Sequence, residues 1–178
     1  QGNLTVADLI VERGKWSNPG AAFFVVGSAT ATADARVHLL RSIVRLCEST
    51  KQGGAVLLNG NGGSAVLLLE SSTMDSNKGT LGGAVSVYPG GALEVAEGTT
   101  SYLKNNIATS FGGGILINGE SSNLKVTGVG TQLVVDGNTA AVSGGGICAF
   151  TAASLLVSDG AHLNVSNNEA SSGGGGIF

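Results

Sequence analysis

Short apolar runs alternate with polar residues along most of this chain. Val85-Ser86-Val87, Leu93-Glu94-Val95, Leu124-Lys125-Val126 and Leu163-Asn164-Val165 all place every second residue on one side. A period of two marks strands with one buried face. Other runs, such as Ile115-Leu116-Ile117, Ile147-Cys148-Ala149, Leu133-Val134-Val135 and Leu155-Leu156-Val157, are apolar throughout. Gly, Asn, Ser and Asp separate the runs, and these are turn residues. The best helical stretch, Ala33 to Glu48, is β-branched in its second half and falls in the frame of the repeat described next. The pattern predicts strands and turns without a helix.

The runs return at a fixed distance. Val56, Val85, Ile115, Ile147 and Ile177 each follow a small residue and a glycine run, and they are 29, 30, 32 and 30 residues apart. Asn77, Asn106, Asn138 and Asn168 precede these markers by 8, 9, 9 and 9 residues. Cys47 holds the same place before Val56, and a looser copy ends near Pro19 to Phe24. A period of this size is the signature of a solenoid. Three apolar runs per repeat predict an all-β, right-handed parallel β-helix of about 30 residues and three strands per coil. Five to six such coils fill one domain over residues 1–178, with irregular coils in 1–43 and regular repeats in 44–178. The chain opens on Gln1 and closes on Gly176-Ile177-Phe178, at the first residues of a new strand, so it is expected to be part of a longer chain or assembly.

Aligning the copies on the Asn turns the sequence into columns. Three residues earlier stand Val44, Met74, Leu103, Val135 and Val165, an apolar column that predicts the core. The Asn column itself predicts a structural ladder, because stacked amides can hydrogen-bond from coil to coil. Two residues later come Ser49, Gly79, Ala108, Ala140 and Ala170, all small, which predicts a crowded corner. Two residues earlier stand Arg45, Asp75, Lys104 and Asp136, alternating in sign. These predict a charge ladder across neighbouring strands, as do Glu94 and Lys125.

Composition narrows the function. Thirty glycines and only 12% charged residues suit tight corners better than a polar catalytic cleft. Net charge is −3 with no basic block, so nucleic acid is not an expected partner. The apolar stretches are too short for a membrane span. Cys47 and Cys148 lie more than three coils apart, beyond the roughly 7 Å reach of a disulfide. His38 and His162 have no acid or Cys at ligand spacing, and no cofactor or metal site is expected. Adjacent coils alternate acid and base where a glycosidase would gather two acids, so no catalytic residue is assigned. Phe23, Phe24, Phe111 and Phe150 are expected in core or cap packing, and Trp16 and Tyr88 beside turns as exposed contact residues. Sequons at Asn3 and Asn164 are candidate glycosylation sites, with Asn164 on a solvent face.

Gly53-Gly54-Ala55-Val56, Gly82-Gly83-Ala84-Val85 and Gly90-Gly91-Ala92-Leu93 resemble the GGA[ILV] motif of the chlamydial polymorphic outer-membrane proteins. The companion FxxN motif is not met as such; Met74 to Asn77, Leu103 to Asn106, Val135 to Asn138 and Val165 to Asn168 take its place. The GGGI of later coils is similar to pectin-lyase-like repeats in surface proteins of algae and protists. The resemblance covers roughly residues 44–178 and implies a β-helical, adhesin-like surface protein. The expectation is a non-catalytic extracellular or cell-surface protein, structural or adhesive. It could stack head to tail into a filament, or continue into neighbouring coils of a longer chain. A host or cell-surface glycan or protein is the expected partner. A polysaccharide lyase or hydrolase on the same fold is the competing expectation.

Overall fold

The computed structural model describes residues 2–30 and 33–178. They form a parallel β-solenoid with four sheets. The first sheet stacks Asn3–Ala7, Ala35–Leu40, Ala65–Glu70, Gly91–Val95, Asn123–Thr127 and Ser154–Ser158. The second stacks Ile10–Glu12, Ile43–Arg45, Thr73–Asp75, Thr100–Lys104, Gln132–Asp136 and His162–Ser166. The third stacks Lys15–Trp16, Glu48–Ser49, Lys78–Leu81, Ile107–Phe111, Thr139–Ala140 and Glu169–Ala170. The fourth stacks Phe23–Val26, Val56–Asn59, Val85–Val87, Ile115–Asn118 and Ile147–Phe150. Each strand pairs in parallel with its counterpart one repeat away, as the thirty-residue period requires.

A coil therefore has four strands, where the apolar runs predicted three. The additional strand follows the Asn and is as short as Thr139–Ala140 or Glu169–Ala170. Two residues cannot display an alternation, and small residues there do not look like an apolar run. The strand is legible only once its partner coils are in place.

Core files run along the stack. Val37 pairs with Leu67, Leu67 with Leu93, and Leu93 with Leu124, all buried. Val44, Met74, Leu103 and Val135 form the matching file of the second sheet, each fully buried. Full burial of such side chains contributes roughly 1.5–3 kcal/mol apiece. From its second strand onward the fourth sheet is buried on both faces. Val56, Val85, Ile115 and Ile147 point to the core, while Leu57, Ser86, Leu116 and Cys148 lie beneath the chain arriving from the third sheet. The Ser86 hydroxyl ties that cover down, accepting from the Gly53 N–H at 3.0 Å and donating to the Leu81 carbonyl at 2.7 Å. Double burial explains why Val56-Leu57-Leu58 and Ile115-Leu116-Ile117 read as continuous apolar runs.

The paired glycines have two separate jobs. Gly53, Gly82, Gly112 and Gly144 have φ of 62, 62, 67 and 65°, the left-handed region that favours glycine. The following Gly54, Gly83, Gly113 and Gly145 lie so close to the next coil that a Cβ would strike its glycine carbonyl oxygen. The turn before each Asn is also left-handed, but the Asn is not the residue that bends. Leu46, Ser76, Asn105, Gly137 and Asn167, one position earlier, hold φ between 53 and 64°.

Candidate functional site

Asn77, Asn106 and Asn138 are fully buried where the second sheet turns into the third. Asn77 donates its backbone N–H and its side-chain Nδ2 to Asn106 Oδ1, at 2.9 and 3.0 Å. Asn106 does the same to Asn138 Oδ1, at 2.9 and 2.9 Å, and Asn138 to Asn168 Oδ1, at 2.8 and 2.9 Å. The second proton of each Nδ2 goes to a carbonyl one coil back: Val44 for Asn77, Met74 for Asn106, Leu103 for Asn138 and Val135 for Asn168. This file satisfies backbone donors that a corner would otherwise bury unpaired. Cys47 stands in the same file. Its N–H reaches Asn77 Oδ1 at 3.0 Å, and its thiol donates to the Arg45 carbonyl at 3.5 Å.

A second polar file was missed in the sequence. Ser42, Ser72 and Ser101 are buried at the turn between the first and second sheets. The Leu9, Ser42 and Ser72 N–H groups donate to the hydroxyls of Ser42, Ser72 and Ser101 at 3.3, 3.0 and 3.2 Å. The signal was the column five residues before the Asn, which turns to Leu133 and Leu163 in the last coils and so hides the pattern.

The charge ladder differs from its prediction. Arg45, Asp75, Lys104 and Asp136 do lie in register on adjacent strands. Among the described residues, however, only Arg45 of these four makes an ion pair, with Glu12 at 2.7 Å. Asp75 instead accepts from Asn105 Nδ2 at 3.0 Å, and Asp136 from Ser166 and Asn167 at 2.7 and 2.8 Å. Neighbouring amides and hydroxyls reach these carboxylates at short range and replace the lysine as partner. The alternating ladder with ionic contacts is in the third sheet, where Glu48 bridges Lys15 at 3.7 Å and Lys78 at 3.6 Å. Glu94 similarly bridges Arg36 at 3.5 Å and Lys125 at 3.4 Å. His38 has Nε2 2.9 Å from Oε2 of Glu70, 32 residues away in sequence. Exposed pairs of this kind contribute at most about 1 kcal/mol each.

Asp75 and Asp136 are kept apart in the stack. Lys104 lies between Asp75 and Asp136, which are two strand spacings or about 9.6 Å apart. Donors from Ser166 and Asn167 hold the Asp136 carboxyl below its usual range, the wrong direction for a proton donor at neutral pH. No group of three His, Cys, Asp or Glu able to hold a metal occurs among the described residues. Among the described residues, no helix is long and apolar enough to cross a membrane. Cys47 and Cys148 are buried free thiols; desolvation raises both, Cys148 to about 11. Asn3 and Asn164 are exposed on outer strand positions.

The outer surface carries one neutral, aromatic region. Trp16, Asn18, Pro19 and Phe24 line a hollow of about 320 Å³. An adjoining hollow of about 210 Å³ is lined by Pro19, Phe24, Gln52, Asn59 and Tyr88. Trp16 is 56% exposed, and Phe24, expected in core or cap packing, is equally exposed because it lies on the outward file of the first fourth-sheet strand, in register with Leu57. Tyr88 is half-buried and its phenol is raised by desolvation. No charged side chain lines either hollow. Farther along, Phe111, Phe150 and Phe178 stack edge to face at 5.2 and 6.0 Å.

No curated protein and no solved structure gives a significant match to the chain. Residues 132–149 match the Chlamydia polymorphic membrane protein repeat. The matched segment spans a second-sheet strand, Asn138, the short Thr139–Ala140 strand, the glycine run and most of a fourth-sheet strand. Together with the β-solenoid fold, it makes this chain similar to the β-helical repeats of the chlamydial polymorphic membrane proteins.

Proposed function

We propose that this chain is a non-catalytic scaffold of a cell surface, structural or adhesive, that displays side chains on a stiff stack. One observation carries the reading: what repeats faces inward, and what faces outward does not repeat. The Asn file, the small column and the glycine pair are all committed to holding coils together. The outward file of the second sheet reads Ile10, Ile43, Thr73, Tyr102, Val134 and Asn164, without a shared chemistry. First and last strands of a six-stranded sheet are about 24 Å apart, so the stack sets varied groups at fixed spacings. The match to a repeat of polymorphic membrane proteins supports surface placement. The neutral hollows at Trp16, Phe24 and Tyr88 form the contact face, suited to an uncharged glycan or protein surface.

Beads coated with the folded protein should adhere to cells, and Trp16→Ala with Phe24→Ala should weaken adhesion while the fold remains. Failure of the parent protein to adhere to any cell or matrix surface defeats the adhesive reading. Turnover of a polysaccharide by the purified chain defeats the non-catalytic one.

A further inference from the structure

Three Asn-Gly steps lie at the corner between the fourth and first sheets: Asn59-Gly60, Asn61-Gly62 and Asn118-Gly119. An Asn amide carbon is open to attack by the backbone nitrogen of the residue that follows, and a following glycine has no Cβ to obstruct the approach. By sequence the three steps are alike, but their hydrogen bonds separate them. The Gly60 N–H donates to the Pro89 carbonyl at 2.9 Å and the Gly119 N–H to the Phe150 carbonyl at 3.3 Å, each on the next coil. Asn59 is held a second time, because its Oδ1 accepts the Asn61 N–H at 3.0 Å.

Asn61-Gly62 differs for a reason of backbone geometry. Asn61 and Gly62 have φ of 46 and 81°, and the turn around them closes through the Gly63 N–H to the Gly60 carbonyl at 2.7 Å. Positive φ at both central residues is the type I′ arrangement that favours Asn-Gly. The bond that closes a β-turn is made by the N–H of its fourth residue, so the N–H of the third is left over. That N–H belongs to Gly62, and it meets no acceptor among the described residues. Both residues are exposed, and no hydrogen bond holds the Asn61 side chain among the described residues.

We propose that Asn61 is a site of spontaneous deamidation, selected by the fold from three steps that the sequence leaves equivalent. The Gly62 nitrogen loses its proton and bonds to Asn61 Cγ; the bond from Cγ to Nδ2 breaks, ammonia leaves, and a succinimide ring closes. Water, the only co-reactant, then opens the ring at either carbonyl. One opening gives aspartate on the original main chain, and the other gives isoaspartate with the main chain rerouted through Cγ. Each event adds a negative charge to a chain of net charge −3. Isoaspartate also lengthens the turn by a main-chain carbon, which breaks the closure from Gly63 to Gly60. The charge falls beside a corner hollow of about 250 Å³ lined by Gly62, Gly63, Pro89, Gly90, Glu120 and Ser121, where Glu120 is already acidic. An aged chain therefore presents a more acidic corner than a new one, two residues from the Asn59 that lines the neutral hollow.

The test incubates the folded protein at mildly alkaline pH and follows each Asn-Gly peptide by mass spectrometry, with enzymatic isoaspartate methylation as a second readout. Asn61 should convert at least about tenfold faster than Asn59 and Asn118, a factor equivalent to ~1.4 kcal/mol and close to the worth of one backbone hydrogen bond. The same chain held unfolded in guanidinium chloride should convert all three at similar rates, since no acceptor then holds Gly60 or Gly119. Asn61→Gly, which keeps a residue suited to positive φ in the turn, should remove the isoaspartate signal from the folded chain. Four results would overturn the proposal. The first is Asn59 or Asn118 converting as fast as Asn61 in the folded protein. The second is Asn61 staying intact when folded while converting when unfolded. The third is persistence of the rate gap in the unfolded chain, and the fourth is an isoaspartate signal that survives Asn61→Gly.

Discussion

Replacing Asn106 by Ala removes the centre of the buried amide file. Two donors of Asn77, its backbone N–H and one Nδ2 proton, lose Asn106 Oδ1 as acceptor. The Met74 carbonyl and Asn138 Oδ1 each lose one donor, although Asn138 Oδ1 keeps the Asn106 N–H. The corner is fully buried, so water does not replace these partners. An orphaned buried donor costs roughly 1–3 kcal/mol. Two of them, partly relieved by relaxation, give an expected loss of about 3 kcal/mol. Asn106→Asp should be worse at neutral pH, because a carboxylate would face Asn138 Oδ1 and the Met74 carbonyl with no proton to share. Burial and these acceptors raise its carboxyl above the unfolded value, so the variant should regain stability as pH falls through that raised pKa. Urea denaturation followed by circular dichroism measures both, with exposed Asn164→Ala as a reference expected within about 0.5 kcal/mol of the parent. A stack can also split at a weakened interface, so a second transition would agree with the reasoning. A loss below about 1 kcal/mol for Asn106→Ala, with an unchanged denaturant slope, would refute the assignment of the file as a principal stabilising element.

Three further outcomes follow from the packing. Gly113→Ala should destabilise strongly, by more than about 3 kcal/mol or to the point of misfolding, because its Cβ meets backbone of the next coil; Gly98→Ala, with nothing within 4 Å, should cost only about 1 kcal/mol through its φ of 71°. Thermal melts of the pair check this, and equal losses would count against it. Ala140→Leu overfills a column whose neighbours are Ala108 and Ala170 and should cost about 1–3 kcal/mol in urea, where a neutral result would mean the corner is not crowded. Cys148 should react slowly with a thiol reagent until the protein unfolds. Its folded pKa of about 11 lies above the unfolded value near 9, so its contribution is present below pH 9 and lost as pH rises towards 11. The melting temperature of the parent should therefore fall more steeply over that window than that of Cys148→Ala.

The repeat, the strands and the apolar core files were legible in the sequence because each depends on positions about thirty residues apart that carry the same residue type. The Asn column and the paired glycines were legible for the same reason. Contacts between unlike residues were not. The Arg45, Asp75, Lys104 and Asp136 column promised ion pairs, yet the carboxylates of Asp75 and Asp136 turned to Asn105, Ser166 and Asn167, whose approach depends on the left-handed turn beside them. Glu48 between Lys15 and Lys78, and His38 beside Glu70, required the exact register of sheets whose strands are too short or too apolar to announce it.

By itself, the sequence determined that this chain coils, how long each coil is and which residues hold successive coils together, since a parallel stack turns identical spacing into contact. Only the tertiary structure decided that a coil has four strands, that the fourth sheet is buried on both faces from its second strand onward, and that the amide file runs one way. That direction arises because every Asn accepts an N–H from the coil before it. A residue column has no polarity until the backbone fixes which neighbour donates.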